Sequence, residues 1–150
     1  MTGVETAMPY QNLIDEARKA TVAFATSADC QAGLAGAALI TVDGQVYSGC
    51  SIDCACGIGF CAEHAAIAEM LKHRATRIKA IVASNKRGRI VPPCGRCREL
   101  MYQVDPANLD TDVMIAADKV VKLRELLPFP WQHHRVTRAH SLPSDSQDPT

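Results

Sequence analysis

Leu13, Ile14, Ala17, Thr21 and Phe24 recur at helical spacing while Asp15, Glu16, Arg18 and Lys19 fill the other faces, which predicts an amphipathic helix within 10–28. Small and β-branched residues over 34–42 then run into Asp43-Gly44, and a strand pattern resumes over 45–48. Asp-Gly between two such runs predicts an antiparallel hairpin. The stretch 49–60 is rich in glycine and cysteine and reads as a loop whose backbone can approach a ligand closely. Alanines with Ile67, Met70 and Leu71 predict a helix over 61–73, with Cys61 and Glu63 in its first turn. The almost wholly apolar run 78–84 suits a buried central strand, and a polar loop over 85–93 ends in Pro92-Pro93. Proline disfavours helix in the residue before it and starts helices well, so a second helix is expected to begin near Cys94, with Cys94 and Cys97 on one face. A strand over 113–117, a shorter one at 120–121 and a brief helix over 123–127, stopped by Pro128, complete the pattern.

After Trp131 the periodicity ends, so one domain over 1–131 with a mobile tail over 132–150 is expected from a chain of 150 residues. Lysine plus arginine and aspartate plus glutamate are equal at 16 each, with no long basic stretch. That balance argues for a small, nearly neutral substrate and against nucleic acid. Charged residues are scattered through the first twenty positions, with no apolar run among them, so neither an export signal nor a membrane anchor is expected and the location expected is cytoplasmic. Seven cysteines are an odd number, and without an export signal they suit metal ligation plus free thiols better than a disulfide scaffold.

The chemistry resides in Cys61-Ala62-Glu63 and Pro93-Cys94-Gly95-Arg96-Cys97. Cys61, Cys94 and Cys97 supply three thiolates for a zinc ion, leaving one coordination position for water, and Glu63 is an acid/base group beside it. Helices starting at Cys61 and Cys94 direct free amides and positive dipole ends at the sulfurs. Three thiolates on one zinc leave a negative charge, so a donor to the sulfurs is needed; Arg98 is the candidate, with Arg96 and His64 behind it. The sequence therefore predicts hydrolysis, with Glu63 accepting the proton of water and passing it to substrate.

The segments YSGCSIDCACGIGFCAEHAAI, PCGRCREL and LRELLPFPW resemble the cytidine deaminase family in its three-cysteine zinc form, including its blasticidin S deaminase branch, over about 34–131. The resemblance implies an α/β, three-layer cytidine-deaminase-like fold with a mixed five-stranded sheet flanked by helices. It implies Cys61, Cys94 and Cys97 as zinc ligands, Glu63 as the proton shuttle to ring N3 and the leaving amine, and the Ala62 amide as donor to the pyrimidine carbonyl. Cysteine at the head of the motif, where nucleic-acid editing relatives usually carry histidine, points to nucleoside substrates in pyrimidine salvage. Where the family reads asparagine-x-glutamate for ribose this chain has Ser51-Ile52-Asp53, and where many members carry phenylalanine it has Gly33, which implies a wider pocket. Trp131 matches a family aromatic that reaches a neighbouring subunit's base site, which implies a homotetramer.

Three functions compete on these residues: a cytidine or deoxycytidine deaminase, a deaminase of a larger nucleoside-like compound such as blasticidin S, and a non-catalytic zinc-stabilised binding module. The third requires a closed site, completed by Cys54 or Cys56. Cys30, Cys50, Cys54 and Cys56 otherwise read as small packing residues.

Overall fold

The computed structural model describes residues 10–131; the expected tail over 132–150 lies outside them. Helix α1 (Gln11–Ala20) buries Leu13, Ile14 and Ala17, the i, i+1, i+4 stripe that periodicity demands. Strands β1 (Phe24–Ser27), β2 (Cys30–Thr41) and β3 (Val46–Cys54) follow, then helix α2 (Ala62–Lys72), β4 (Ile78–Asn85) and β5 (Ile90–Val91). Helix α3 (Gly95–Val104), β6 (Asp112–Ala116), β7 (Lys119–Lys122) and the one-turn α4 (Leu123–Leu126) complete the order.

The strands form one mixed sheet in which β4 and β6 run parallel and the remaining pairs antiparallel. It has seven strands where five were expected. The two additions are the shortest of the unexpected segments. All four residues of β1 are exposed, so no alternation marks it, and it falls inside the stretch expected to continue the first helix. β5 is only two residues long and sits in the stretch expected to be loop. β3 also runs on to Cys54, through glycine and cysteine rather than β-branched residues, because β2 pairs with it that far, Cys30 opposite Cys54.

Alternation along the strands builds two cores. Ala38, Ala80, Val82 and Met114 meet α1 on one face. Ala37, Leu39, Ile81 and Val113 meet Ile67 and Met70 of α2, Met101 of α3 and Leu123 of α4 on the other. The result is a sheet flanked by helices on both sides. Helix α2 lies close on β3 because Gly49 carries no side chain: a Cβ there would stand 2.4 Å from the Ala65 Cβ and 2.6 Å from the Ala66 nitrogen. That contact sets the height of α2, and so of the site at its N-terminus.

Two polar contacts pin loops to this frame. Asn108 is fully buried; its Oδ1 accepts the Ile78 N–H at 2.9 Å, and its Nδ2 donates to the Thr76 and Met101 carbonyls at 2.9 and 3.0 Å. Asn108→Ala strands all three backbone groups, so urea unfolding should show a loss of about 2–4 kcal/mol. The Tyr10 hydroxyl donates to Asp112 at 2.5 Å, tying the start of α1 to β6. Burial first, then that carboxylate, push the Tyr10 phenol up to about 12.

Candidate active site

Cys61 and Cys94 are the N-cap residues of α2 and α3, both in extended conformation (φ −69° and −67°). Pro92 and Pro93 preset the extended approach to Cys94, and the Arg96 and Cys97 amides in the first turn of α3 face the Cys94 sulfur. Although 33 residues apart, the Cys61 and Cys94 sulfurs lie 3.5 Å apart, and Cys97, one turn into α3, places its sulfur 3.5 Å from that of Cys94. Sulfurs at two corners of a tetrahedron around a zinc ion, with bonds of about 2.3 Å, stand about 3.8 Å apart. Those two separations therefore suit zinc after a shift of a few tenths of an ångström. Cys61, Cys97 and His64 also bring one donor atom each to within 4.8 Å of one another.

The electrostatics of the metal-free cluster favour a cation. Burial pushes the Cys97 thiol up, and the Glu63 carboxylate and neighbouring sulfurs push it further. Cys61 is likewise raised, first by burial and then by Cys94. Burial would raise Cys94 as well, but backbone amides of Cys97 and Arg96 and the flanking thiols outweigh it and hold that thiol below its ordinary value. Three adjacent sulfurs cannot all ionise without a positive charge between them, and a divalent ion supplies it.

Glu63 lies on the buried stripe of α2 with Ala66, Ile67 and Met70, only 6% exposed. Burial holds its carboxyl above the usual range, against smaller lowering contributions from its own backbone amide and the Cys97 thiol. Together with Cys61, Ala62 and Cys94 it faces an open cavity of about 790 Å³, large enough for a nucleoside. Ser51 and Asp53 line the same cavity. The Ser51 hydroxyl accepts the Ala35 N–H at 3.0 Å and donates to the Asp53 carboxylate at 3.2 Å, so Ser51 acts on the pocket by orienting Asp53.

Several expected residues sit elsewhere. Arg98 was the candidate donor to the sulfurs, but its Nε donates to the Pro93 carbonyl at 2.8 Å and its Nη1 to Leu126 at 3.3 Å. A step of one residue turns a helix by about 100°, so Arg98 leaves the face on which Cys97 meets the sulfurs and clamps the Cys94 loop against α4 instead. The Nδ1 of His64 stands 3.4 Å from the Cys97 sulfur. Burial, and then the Arg96 charge, hold His64 below its ordinary value, and in the tautomer with its proton on Nδ1 the ring donates to that sulfur. Arg96 reaches the Gly59 carbonyl at 3.5 Å at the cavity mouth.

Gly33 does not widen the pocket. It has φ +76°, and a Cβ there would fall 2.0 Å from the Val22 carbonyl oxygen, so glycine answers a close backbone approach between the α1–β1 link and β2. Cys54 does not close the metal site either: its sulfur lies 2.8 Å from that of Cys30, while Cys56 is exposed on the following turn. Trp131 is 59% exposed, with its backbone N–H on Glu99 at 3.2 Å, and is not among the residues lining its own chain's cavity. The cavity wall also includes Asp29, Cys30 and Gln31, which sequence reasoning did not place there. The signal available was Ser27-Ala28-Asp29, a turn composition where β1 passes into β2.

The family model for the cytidine and deoxycytidylate deaminase zinc-binding region matches residues 11–111. The cytidine deaminase of Halalkalibacterium halodurans is 35% identical over a match covering 62% of this chain and 73% of that protein. The crystal structure of cytidine deaminase from Burkholderia pseudomallei superposes with a TM-score of 0.67 at 28% identity, over 83% of this chain and 100% of that one. That of Mycobacterium leprae gives 0.68 at 25% identity, over 81% and 98%.

Proposed function

The chain belongs to the cytidine and deoxycytidylate deaminase zinc-binding family, and from that membership we infer a zinc-dependent hydrolytic deaminase that converts cytidine or deoxycytidine and water to the uridine counterpart and ammonia. The observation that carries the reading is the buried Glu63 carboxyl facing the same cavity as sulfurs spaced for one zinc ion. The direct test is ammonia release, with loss of the aminopyrimidine absorbance, when zinc-loaded protein meets cytidine. Absence of turnover across a panel of amino-nucleosides would sink it.

Cys61, Cys94 and Cys97 are the proposed ligands, with His64 donating to the Cys97 sulfur and drawing off part of the thiolate charge. A zinc ion bound there supplies a Lewis acid that brings the pKa of water towards neutrality. Glu63 accepts the proton of the attacking water and delivers it to ring N3, then takes up the proton of the new C4 hydroxyl and passes it to the departing amine. Its burial suits this work, because a carboxyl held above its ordinary value is a stronger proton acceptor than an exposed one while still able to return the proton. The Ala62 N–H, first in α2, is placed at the helix's positive end to hold the pyrimidine carbonyl.

Asp53, oriented by Ser51, binds the sugar hydroxyls in this reading. Asp53→Ala should raise KM about 10–100-fold, the equivalent of one or two charge-assisted hydrogen bonds, while kcat moves by only a few-fold. Steady-state kinetics on cytidine check it; an unchanged KM would remove Asp53 from the site. The blasticidin-type alternative rested partly on Gly33, which the backbone now accounts for.

Trp131, exposed together with Phe129, suits contact with a neighbouring copy, where it would stack on that copy's base in a homotetramer. No described helix is long and apolar enough to cross a membrane. A place in cytoplasmic pyrimidine salvage follows from the substrate proposed.

A further inference from the structure

Cys30 opens β2 and Cys54 closes β3, and the two are direct cross-strand partners. Their sulfurs lie 2.8 Å apart, closer than two sulfurs in van der Waals contact. A disulfide needs about 2.05 Å, and Cα separations of paired strand residues fall within its tolerance, so the bond requires well under an ångström of movement. Both residues are partly exposed and line the wall of the nucleoside cavity, Cys54 directly after Asp53. Among the described strands β3 pairs with β2 alone, and beyond that this end is held by a single bridge from Ile52 to Phe60 and by the Ala55 N–H on the Asp29 carbonyl. Neither thiol has a part in the deamination chemistry.

We propose that Cys30 and Cys54 form a thiol–disulfide exchange site on the cavity rim, taking a low-molecular-weight disulfide such as oxidised glutathione and closing to an internal cross-strand bond. Hydrogen bonds from Cys54 and then Thr26 hold the Cys30 thiol below its ordinary value, whereas Cys54 is held above its own. Cys30 is thus the attacking group. Its thiolate attacks one sulfur of the disulfide, forming a mixed disulfide and expelling one thiolate. Cys54, giving its proton to solvent, then attacks the Cys30 sulfur and expels the second. The two protein thiols are oxidised, one small disulfide is reduced to two thiols, and excess reduced thiol runs both steps backwards. The bond pins the strand end that carries Asp53.

Zinc-loaded protein is incubated with graded oxidised glutathione, quenched with an alkylating reagent, and analysed by peptide mapping and zinc assay. The expected product is a Cys30–Cys54 linked peptide pair lighter by two hydrogens, formed with zinc retained and reversed by reduced glutathione. Cys54→Ser should stall at a glutathione adduct on Cys30, Cys30→Ser should lose the internal bond, and Cys56→Ser should form it as the parent does. No linked pair, adducts confined to Cys56, or oxidation of the zinc cysteines with release of metal before any Cys30–Cys54 bond would each overturn the proposal. The readout needs no turnover, so its failure and that of the deaminase reading are separate results.

Discussion

Glu63→Gln should bind zinc as the parent chain does, yet turn over cytidine about 10⁴-fold more slowly, the upper end of what one general acid/base group contributes. The upper end is expected because one carboxyl serves four transfers: from water, to the ring nitrogen, from the new C4 hydroxyl and to the amine. Glutamine keeps the shape and loses the proton, and Glu63 sits 6% exposed on the packed stripe of α2, with Cys97 as its neighbour. The loss should therefore fall on kcat and not on folding. The pH dependence has a definite sign. Burial holds the carboxyl above 4.5, so the carboxylate needed as acceptor is present above the raised value and is lost as pH falls through it. The acid limb of kcat/KM should lie above the usual carboxylate range in the parent and vanish in Glu63→Gln. Full rate in the variant would remove the mechanism.

Stripping the metal should abolish turnover entirely while leaving most of the secondary structure, because neither core beside the sheet includes a cysteine of the sulfur cluster, buried though Cys97 is. Activity should return with stoichiometric zinc. Cys94→Ala should lose the ion, since it removes one of three proposed ligands and the sulfur that lies 3.5 Å from both others. His64→Ala should keep one zinc per chain with affinity lowered about 10–100-fold, the effect of losing a donor to a ligand rather than a ligand. Metal analysis decides between two ligand sets. Should His64→Ala lose zinc and Cys94→Ala keep it, the ion belongs to Cys61, His64 and Cys97, whose donor atoms also lie within 4.8 Å of one another.

Helix α2 shows how far local pattern reaches. Alanines with Ile67 and Met70 predict the helix, and the same spacing carries Glu63 onto the buried stripe, so both the element and the acid were legible from neighbours in the chain. Pro92-Pro93 likewise marked the start of α3 near Cys94. Strand β1 was hidden because its four exposed residues carry no alternation, and the end of β3 because its glycine and cysteines borrow their strand conformation from β2. Arg98 lies away from the sulfurs and His64 beside one of them for a geometric reason. Both are next to a key residue in sequence, but the direction of each side chain follows from its phase on a helix and from where that helix docks.

The motif itself was determined by residue order alone: thiols one helical turn apart behind prolines, a further thiol before an acid, and helices that begin at both. Those are relations among near neighbours, which periodicity and capping express directly. Tertiary structure decided what depends on register and docking: the meeting of sulfurs 33 residues apart, the use of Gly33 for a close backbone approach, and the pairing of Cys30 with Cys54. Such contacts are set when strands align and helices settle on the sheet, and no single segment contains the information.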